Sequence, residues 1–161
     1  MEQLLKLVSD LNLCLIYIPL SNIRDGLFGL YSPATSTIFL DIKLLEPKYY
    51  KLHRCVLAEE IGHRITGTSI NTLKIHTSYT LKRKILEDEE RAILWATEKL
   101  IPTNELIELL QNGFHNCEEL ADYFGVTVWF MFRKLQFIQI RCDDKNSVIR
   151  PIIKRSRISC F

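Results

Sequence analysis

The sequence predicts an α+β fold, a small β-sheet packed against a helical core, followed by a C-terminal helical subdomain. Three observations carry this. Short β-branched and apolar runs cluster within residues 13–41. After Pro47 the apolar residues recur at helical spacing in blocks separated by Gly, Pro and Asn. A chain of 161 residues with 47% hydrophobic and 25% charged content is long enough for one real core with a small addition.

The elements follow in order. Leu4, Leu5, Val8 and Leu11 give residues 2–11 the spacing of a short amphipathic helix. Residues 13–20 form an apolar run ended by Pro19, the pattern of a strand buried on both faces. Residues 27–31 and 37–41 are short strands around the turn-rich connector Ser32-Pro33-Ala34-Thr35-Ser36, so the sheet is partly a hairpin. A long helix runs from Pro47 to about Ile65 and stops at Thr66-Gly67-Thr68. Residues 69–79 are polar and unassigned. Leu81 to Ile101 is strongly helical, with Pro102 as its stop. Three shorter helices, 104–111, 117–124 and 127–138, are separated by Asn112-Gly113 and Gly125. Beyond Gln139 a weak alternation fits a hairpin around 143–146 or a loose tail.

Composition excludes several classes. A net charge of +2 carries no signal for nucleic-acid binding by itself. The charge is uneven, however: Lys145, Arg150, Lys154, Arg155 and Arg157 make the C-terminal end basic, and residues 87–90 are all acidic. Cys14, Cys55, Cys117, Cys142 and Cys160 are odd in number and contain no CxxC pair, which argues against a disulfide framework and against a thiolate zinc site. With no signal-peptide layout and no run long enough to span a bilayer, the expected place is a reducing cytoplasm, away from membranes.

The segment Cys55-Val56-Leu57-Ala58-Glu59-Glu60-Ile61-Gly62-His63 carries the chemistry. In the helical pattern H-E-x-x-H, ligands four residues apart face one metal and the intervening Glu activates water. Here Glu59 takes the first ligand position, Glu60 the base position and His63 the second ligand position. Residues four apart on a helix lie about 40° apart around the axis and roughly 6 Å along it, so Glu59 and His63 can converge on one ion with Glu60 beside them. Gly62 costs about 1 kcal/mol against Ala inside a helix; close approach by another element is a reason to keep it. A third ligand must come from elsewhere. Glu87, Asp88, Glu89 and Glu90 offer four candidates on the next helix, and spacing does not choose among them. The ordinary reading of E-E-x-x-H is a chance helical pattern with a histidine satisfied by a neighbour.

The combination of motifs resembles the ImmA/IrrE family of metallopeptidase-like proteins, found on phages and mobile elements and in stress-response regulators. A small sheet with Gly26-Leu27-Phe28-Gly29-Leu30-Tyr31 and Thr37-Ile38-Phe39-Leu40 leads into the Glu59–His63 helix. Residues 89–102, Glu-Glu-Arg-Ala-Ile-Leu-Trp-Ala-Thr-Glu-Lys-Leu-Ile-Pro, look like the family's second helix, E-x-x-A-x-x-[FW]-A followed by an apolar pair and Pro. Residues 117–135 are similar to its closing helical pair. The resemblance covers roughly residues 1–138. It implies a peptidase-like core over 1–102 and a helical subdomain over 103–138; residues 139–161, outside it, are expected to form a basic tail or hairpin.

Carried over by position, the resemblance implies Zn2+ held by Glu59, His63 and Glu89, with Glu60 as general base. Glu59 departs from the usual histidine, as in a subset of phage and mobile-element members. A second carboxylate makes the ligand set harder and more anionic, lowering zinc affinity and the acidity of the bound water. Zinc held weakly, another divalent ion, or no ion are the cofactor alternatives. The implied activity is that of an anti-repressor peptidase cleaving a cognate helix-turn-helix repressor. The alternative is an inactive pseudo-peptidase that regulates transcription by binding a protein partner. His53 and His76 are candidates to stabilise an oxyanion, though either fits polar packing better. Cys55 lies one turn before Glu59, where burial in the core is the stronger reading.

A rival reading concerns Leu120-Ala121-Asp122-Tyr123-Phe124-Gly125-Val126 and the helix after it, which have the spacing of a DNA-binding helix-turn-helix. A recognition helix needs polar and basic residues at base edges. This one presents Val128, Trp129, Phe130, Met131 and Phe132 first, a packing or partner surface. Direct nucleic-acid binding is therefore not expected.

Overall fold

Leu4 and Val8, one helical turn apart, are the buried face of helix α1 (Glu2–Asp10), which ends where Asn12 turns into the left-handed region. A computed structural model describes residues 1–67, 79–114 and 116–143, with side chains described at 1–67, 83–114 and 116–139. Within the described residues no helix is long and apolar enough to cross a membrane. The chain divides into two compact units between Ala96 and Thr97.

Among its described residues the first unit holds a three-stranded mixed sheet of β1 (Cys14–Ile18), β2 (Gly29–Ser32) and β3 (Thr37–Asp41), in the order β1-β3-β2. β1 pairs with β3 in parallel, and β2 pairs with β3 as an antiparallel hairpin in which Gly29 faces Leu40 and Ser32 faces Thr37. The expectation that the first strand is buried on both faces is corrected. β1 is an edge strand with Cys14 and Ile16 exposed, and the central strand is β3, where Ile38 and Leu40 are fully buried. Order of pairing decides this, and an apolar run does not reveal its neighbours.

Asp41 ends β3 with its side chain turned inward. The carboxylate accepts from the Ser21 amide at 2.6 Å and from the Lys43 amide at 2.9 Å, tying the turn after β1 to the turn that leads into the next helix. Burial opposes ionisation of Asp41, but the two backbone donors and the Lys43 charge outweigh it and hold its pKa below the usual carboxylate value.

Pro47 opens a 3-10 turn that runs into α2 (Tyr50–Thr66), and Gly67, at φ +75°, closes that helix in the left-handed region. α2 packs on α1, β2 and β3. Its middle is buried nearly all round, including the polar Glu60 and His63. Helix α3 (Tyr79–Leu100) follows. Residues 68–78, which include His76, lie outside the described residues.

In the second unit, Pro102 precedes α4 (Thr103–Gln111). Asn116 caps α5 (Cys117–Phe124) by accepting from the Glu118 amide at 2.8 Å, and Gly125 ends it at φ +61°. Helix α6 (Val128–Asp143) packs on α5, and Thr127 accepts from the Phe130 amide at its start. α6 extends five residues past Ile138, so the hairpin or tail placed after Gln139 begins no earlier than residue 144, outside the described residues. Phe130 and Met131 are fully buried while Val128 and Trp129 are exposed. The first turn of α6 therefore offers no basic side chain to a base edge. A buried cation completes the unit: Lys134, 2% exposed, donates to Glu98 at 2.5 Å and to Thr103 at 2.8 Å.

Replacing Asp41 with Ala removes two charge-assisted hydrogen bonds, and the expected loss is about 2–3 kcal/mol of unfolding free energy. Because the folded pKa lies below the unfolded one, Asp41's contribution is present above the unfolded pKa and is lost as pH falls through the folded value. Urea unfolding at neutral and acid pH should show the Asp41→Ala deficit at neutral pH and its shrinkage in acid.

Candidate metal centre

Glu59, Glu60 and His63 stand at positions i, i+1 and i+4 of α2, so Glu59 and His63 lie on one side of the helix with Glu60 next to them. Glu89 reaches the same place from α3. Ligand atoms of Glu59, His63 and Glu89 all lie within 4.8 Å of one another, and among the described residues this is the group assembled closely enough to hold a metal. His63 Nε2 is 3.5 Å from Glu89 Oε2. Zinc bonds of about 2.0–2.1 Å at tetrahedral angles put neighbouring ligand atoms about 3.3 Å apart. One imidazole and two carboxylates at this spacing form a cluster that can coordinate a divalent ion.

Gly62 explains how the two helices come so close. A Cβ built there would lie 2.6 Å from the Ala92 carbonyl oxygen of α3. That atom is backbone and cannot rotate away. The glycine lets α3 approach, and Glu89, one turn before Ala92, is thereby brought to His63.

Glu60 points to the sheet rather than to α3. The residue is 7% exposed, and a Cβ at Gly29 would come within 2.5 Å of Glu60 Oε1 and of the Val56 side chain. The Tyr31 amide donates to the Glu60 carboxylate. Asp41 donates its amide to Phe28, so the hydrogen-bonded pairs of the β2–β3 ladder involve residues 28 and 30 on the β2 side. The polar backbone groups of Gly29 and Tyr31 therefore turn outward, and Glu60 uses one of them. This β2 edge, Glu59, Glu60, His63, Ile85 and Glu89 line one cavity of about 550 Å³.

Burial pushes the Glu60 carboxyl up to about 8; Glu59 and Glu89 add to the rise, and His63 and the Tyr31 amide oppose it. Burial alone would lower the His63 pKa, but the hydrogen bond to Glu89 and the charges of Glu60, Glu89 and Glu59 outweigh it and raise the imidazole above its ordinary value. Three carboxylates around one histidine create a strong demand for positive charge.

The other candidates fall elsewhere. Of the four acids on α3, Glu87 pairs with Arg83 at 2.9 Å, Asp88 is buried against Arg91, and Glu90 is exposed, which leaves Glu89 facing His63. His53 takes part in a hydrogen bond with Tyr17 Oη at 3.0 Å and does not line the cavity. Cys55 is buried in the core. Two contributors were not singled out from the sequence: Gly29, whose missing side chain makes room for Glu60, and the Tyr31 amide. A glycine inside a strand pattern is a signal of close backbone approach; a backbone donor leaves no mark on the sequence.

A family model described as Peptidase_M78, IrrE N-terminal-like domain, matches residues 11–136. No curated protein and no solved structure gives a match.

Gly62→Ala gains about 1 kcal/mol of helix propensity but forces two backbones apart. The clash wins, for an expected net loss of about 1–2 kcal/mol in chemical denaturation, together with weaker divalent-ion binding by calorimetry. Glu60 and His63 both bind protons more tightly in the folded metal-free chain than in the unfolded one. The metal-free protein should therefore lose stability as pH rises, through the window from 4.5 to about 8 for Glu60 and from 6.5 upward for His63. Thermal melts with chelator across that range should show the decline, Glu60→Gln should flatten it, and added divalent ion should oppose it.

Proposed function

The chain belongs to the Peptidase_M78, IrrE N-terminal-like family, and on that premise we propose that it is a zinc-dependent endopeptidase that cleaves a helix-turn-helix repressor, acting as an anti-repressor in the cytoplasm of a cell carrying the phage or mobile element it serves. One observation carries the reading: the approach of Glu59, His63 and Glu89 to within 4.8 Å of one another, with buried Glu60 alongside.

Glu59, His63 and Glu89 would hold the ion. A bound divalent ion supplies Lewis acidity, which lowers the pKa of water and polarises a carbonyl. Glu60 takes the proton from the attacking water and delivers it to the leaving amine, a role that suits a carboxyl whose pKa burial raises and a nearby cation would lower back toward neutrality. The outward-facing backbone of Gly29 and the Tyr31 carbonyl offer hydrogen bonds to an extended peptide lying along the β2 edge, which presents the scissile bond to Glu60. Leu27, Phe28 and Leu30 give the cavity wall apolar surface for side chains flanking that bond.

Glu59 supports a second reading, an inactive relative that regulates by binding, because it stands where the family's common form has a neutral imidazole. Two measurements decide between them. Elemental analysis of protein purified without chelator should find near-stoichiometric zinc, and Glu89→Ala should lower its affinity by at least about 100-fold while Glu90→Ala leaves it unchanged. Co-expression with candidate repressors should yield cleavage that Glu60→Gln reduces by about 10²–10⁴-fold. Metal-free protein that still binds a repressor without cutting it would establish the second reading instead.

A further inference from the structure

Charge and apolar exposure in the second unit are segregated. From Ile101 to Phe132 the chain has no Lys or Arg and carries Glu105, Glu108, Glu118, Glu119 and Asp122, all exposed. Within the same stretch Tyr123 and Trp129 are each 55% exposed and Val128 is 41% exposed, on either side of the turn that joins α5 to α6. Tyr123 donates to Glu105 at 3.1 Å, which joins an exposed aromatic ring to an acidic side chain on one surface. Exposed aromatic groups in such a cluster mark a contact face. Its carboxylates repel a phosphate backbone and suit an apolar segment bearing cations.

This chain contains such a segment. Residues 144–161 carry Lys145, Arg150, Lys154, Arg155 and Arg157 against the single acid Asp144, interleaved with Val148, Ile149, Ile152, Ile153, Ile158 and Phe161. The segment leaves α6 at Asp143, fourteen residues after Trp129. That helical length is about 21 Å at 1.5 Å per residue. An extended chain at about 3.3 Å per residue covers it in six or seven residues, which places Arg150 and everything after it within reach of Trp129.

We propose that residues 150–158 of this chain dock on the acidic-aromatic face formed by α5 and the first turn of α6. The tether makes a weak contact sufficient. At an effective concentration on the order of 1 mM, an isolated-segment Kd on the order of 100 μM leaves the face about 90% covered. Any outside ligand for this surface must then compete with residues 150–158. The inference is independent of metal binding and of peptidase activity, since none of its residues lines the candidate centre.

The test uses the full chain with the photo-cross-linker benzoylphenylalanine at Val128, irradiated at high dilution and mapped by mass spectrometry. The expected products are intramolecular cross-links to residues 150–158. Lys154→Glu, Arg155→Glu and Arg157→Glu together should reduce them at least about fivefold, with partial recovery when Glu118→Lys and Glu119→Lys are added. High salt should weaken the same cross-links. Circular dichroism confirms that each variant is folded. Cross-links confined to other parts of the chain, or only between chains with a yield that grows with concentration, or unaffected by charge reversal, overturn the proposal; the second of these outcomes would assign the face to a second copy.

Discussion

The candidate centre depends on the distance between two backbones. α2 and α3 approach so closely at Gly62 and Ala92 that a methyl group at Gly62 would sit 2.6 Å from the Ala92 carbonyl oxygen. His63 follows Gly62 directly, and Glu89 lies one turn before Ala92, so the helix crossing sets the separation of the two side chains. The patterns G-H on one helix and E-x-x-A on the other are two halves of a single contact. A small residue on each side permits the approach, and the polar residue beside it uses the proximity.

That proximity has an electrostatic consequence. Glu59, Glu60 and Glu89 surround one histidine, with Glu60 and His63 buried in the packed middle of α2. Such an arrangement is unfavourable for a fold alone, because desolvated carboxylates repel one another and each loses its water. The Tyr31 amide and the charge on His63 offset part of this. Protonation of Glu60 or arrival of a cation offsets more. A stable fold is thus made to favour positive charge at one point, which is how a site differs from a core that merely contains polar residues.

Much of this was legible in the sequence because the signals were periodic or chemically specific. The helices show as spaced apolar residues bounded by Gly67, Pro102 and Gly125, and β3 matches its expected span of residues 37–41. Gly62 announced a close approach through its helical cost, and the approach is there. The role of β1 as an edge was hidden, since Leu15, Ile16 and Ile18 are as apolar as a central strand and pairing order is a long-range property. The selection of Glu89 over Glu87 was likewise invisible to spacing. It follows from where α3 crosses α2, and that crossing is a tertiary fact. Lys134 was hidden for the same reason, as its partners Glu98 and Thr103 are more than thirty positions earlier in the chain.

Glu59 changes the chemistry of the proposed centre in two compensating ways. With two carboxylates and one neutral imidazole, a divalent ion and its protein ligands carry no net charge, where a single carboxylate and two imidazoles would leave one positive charge. A water polarised by such a neutral centre would be less acidic and would give up its proton less readily. The same loss of positive charge leaves Glu60 less depressed from the value that burial imposes, and a carboxylate with a higher pKa is a stronger base. Proton transfer depends on the difference between the two acidities, and both move in the same direction. In the proposed mechanism the cost of Glu59 would therefore fall more heavily on polarising the scissile carbonyl than on activating water.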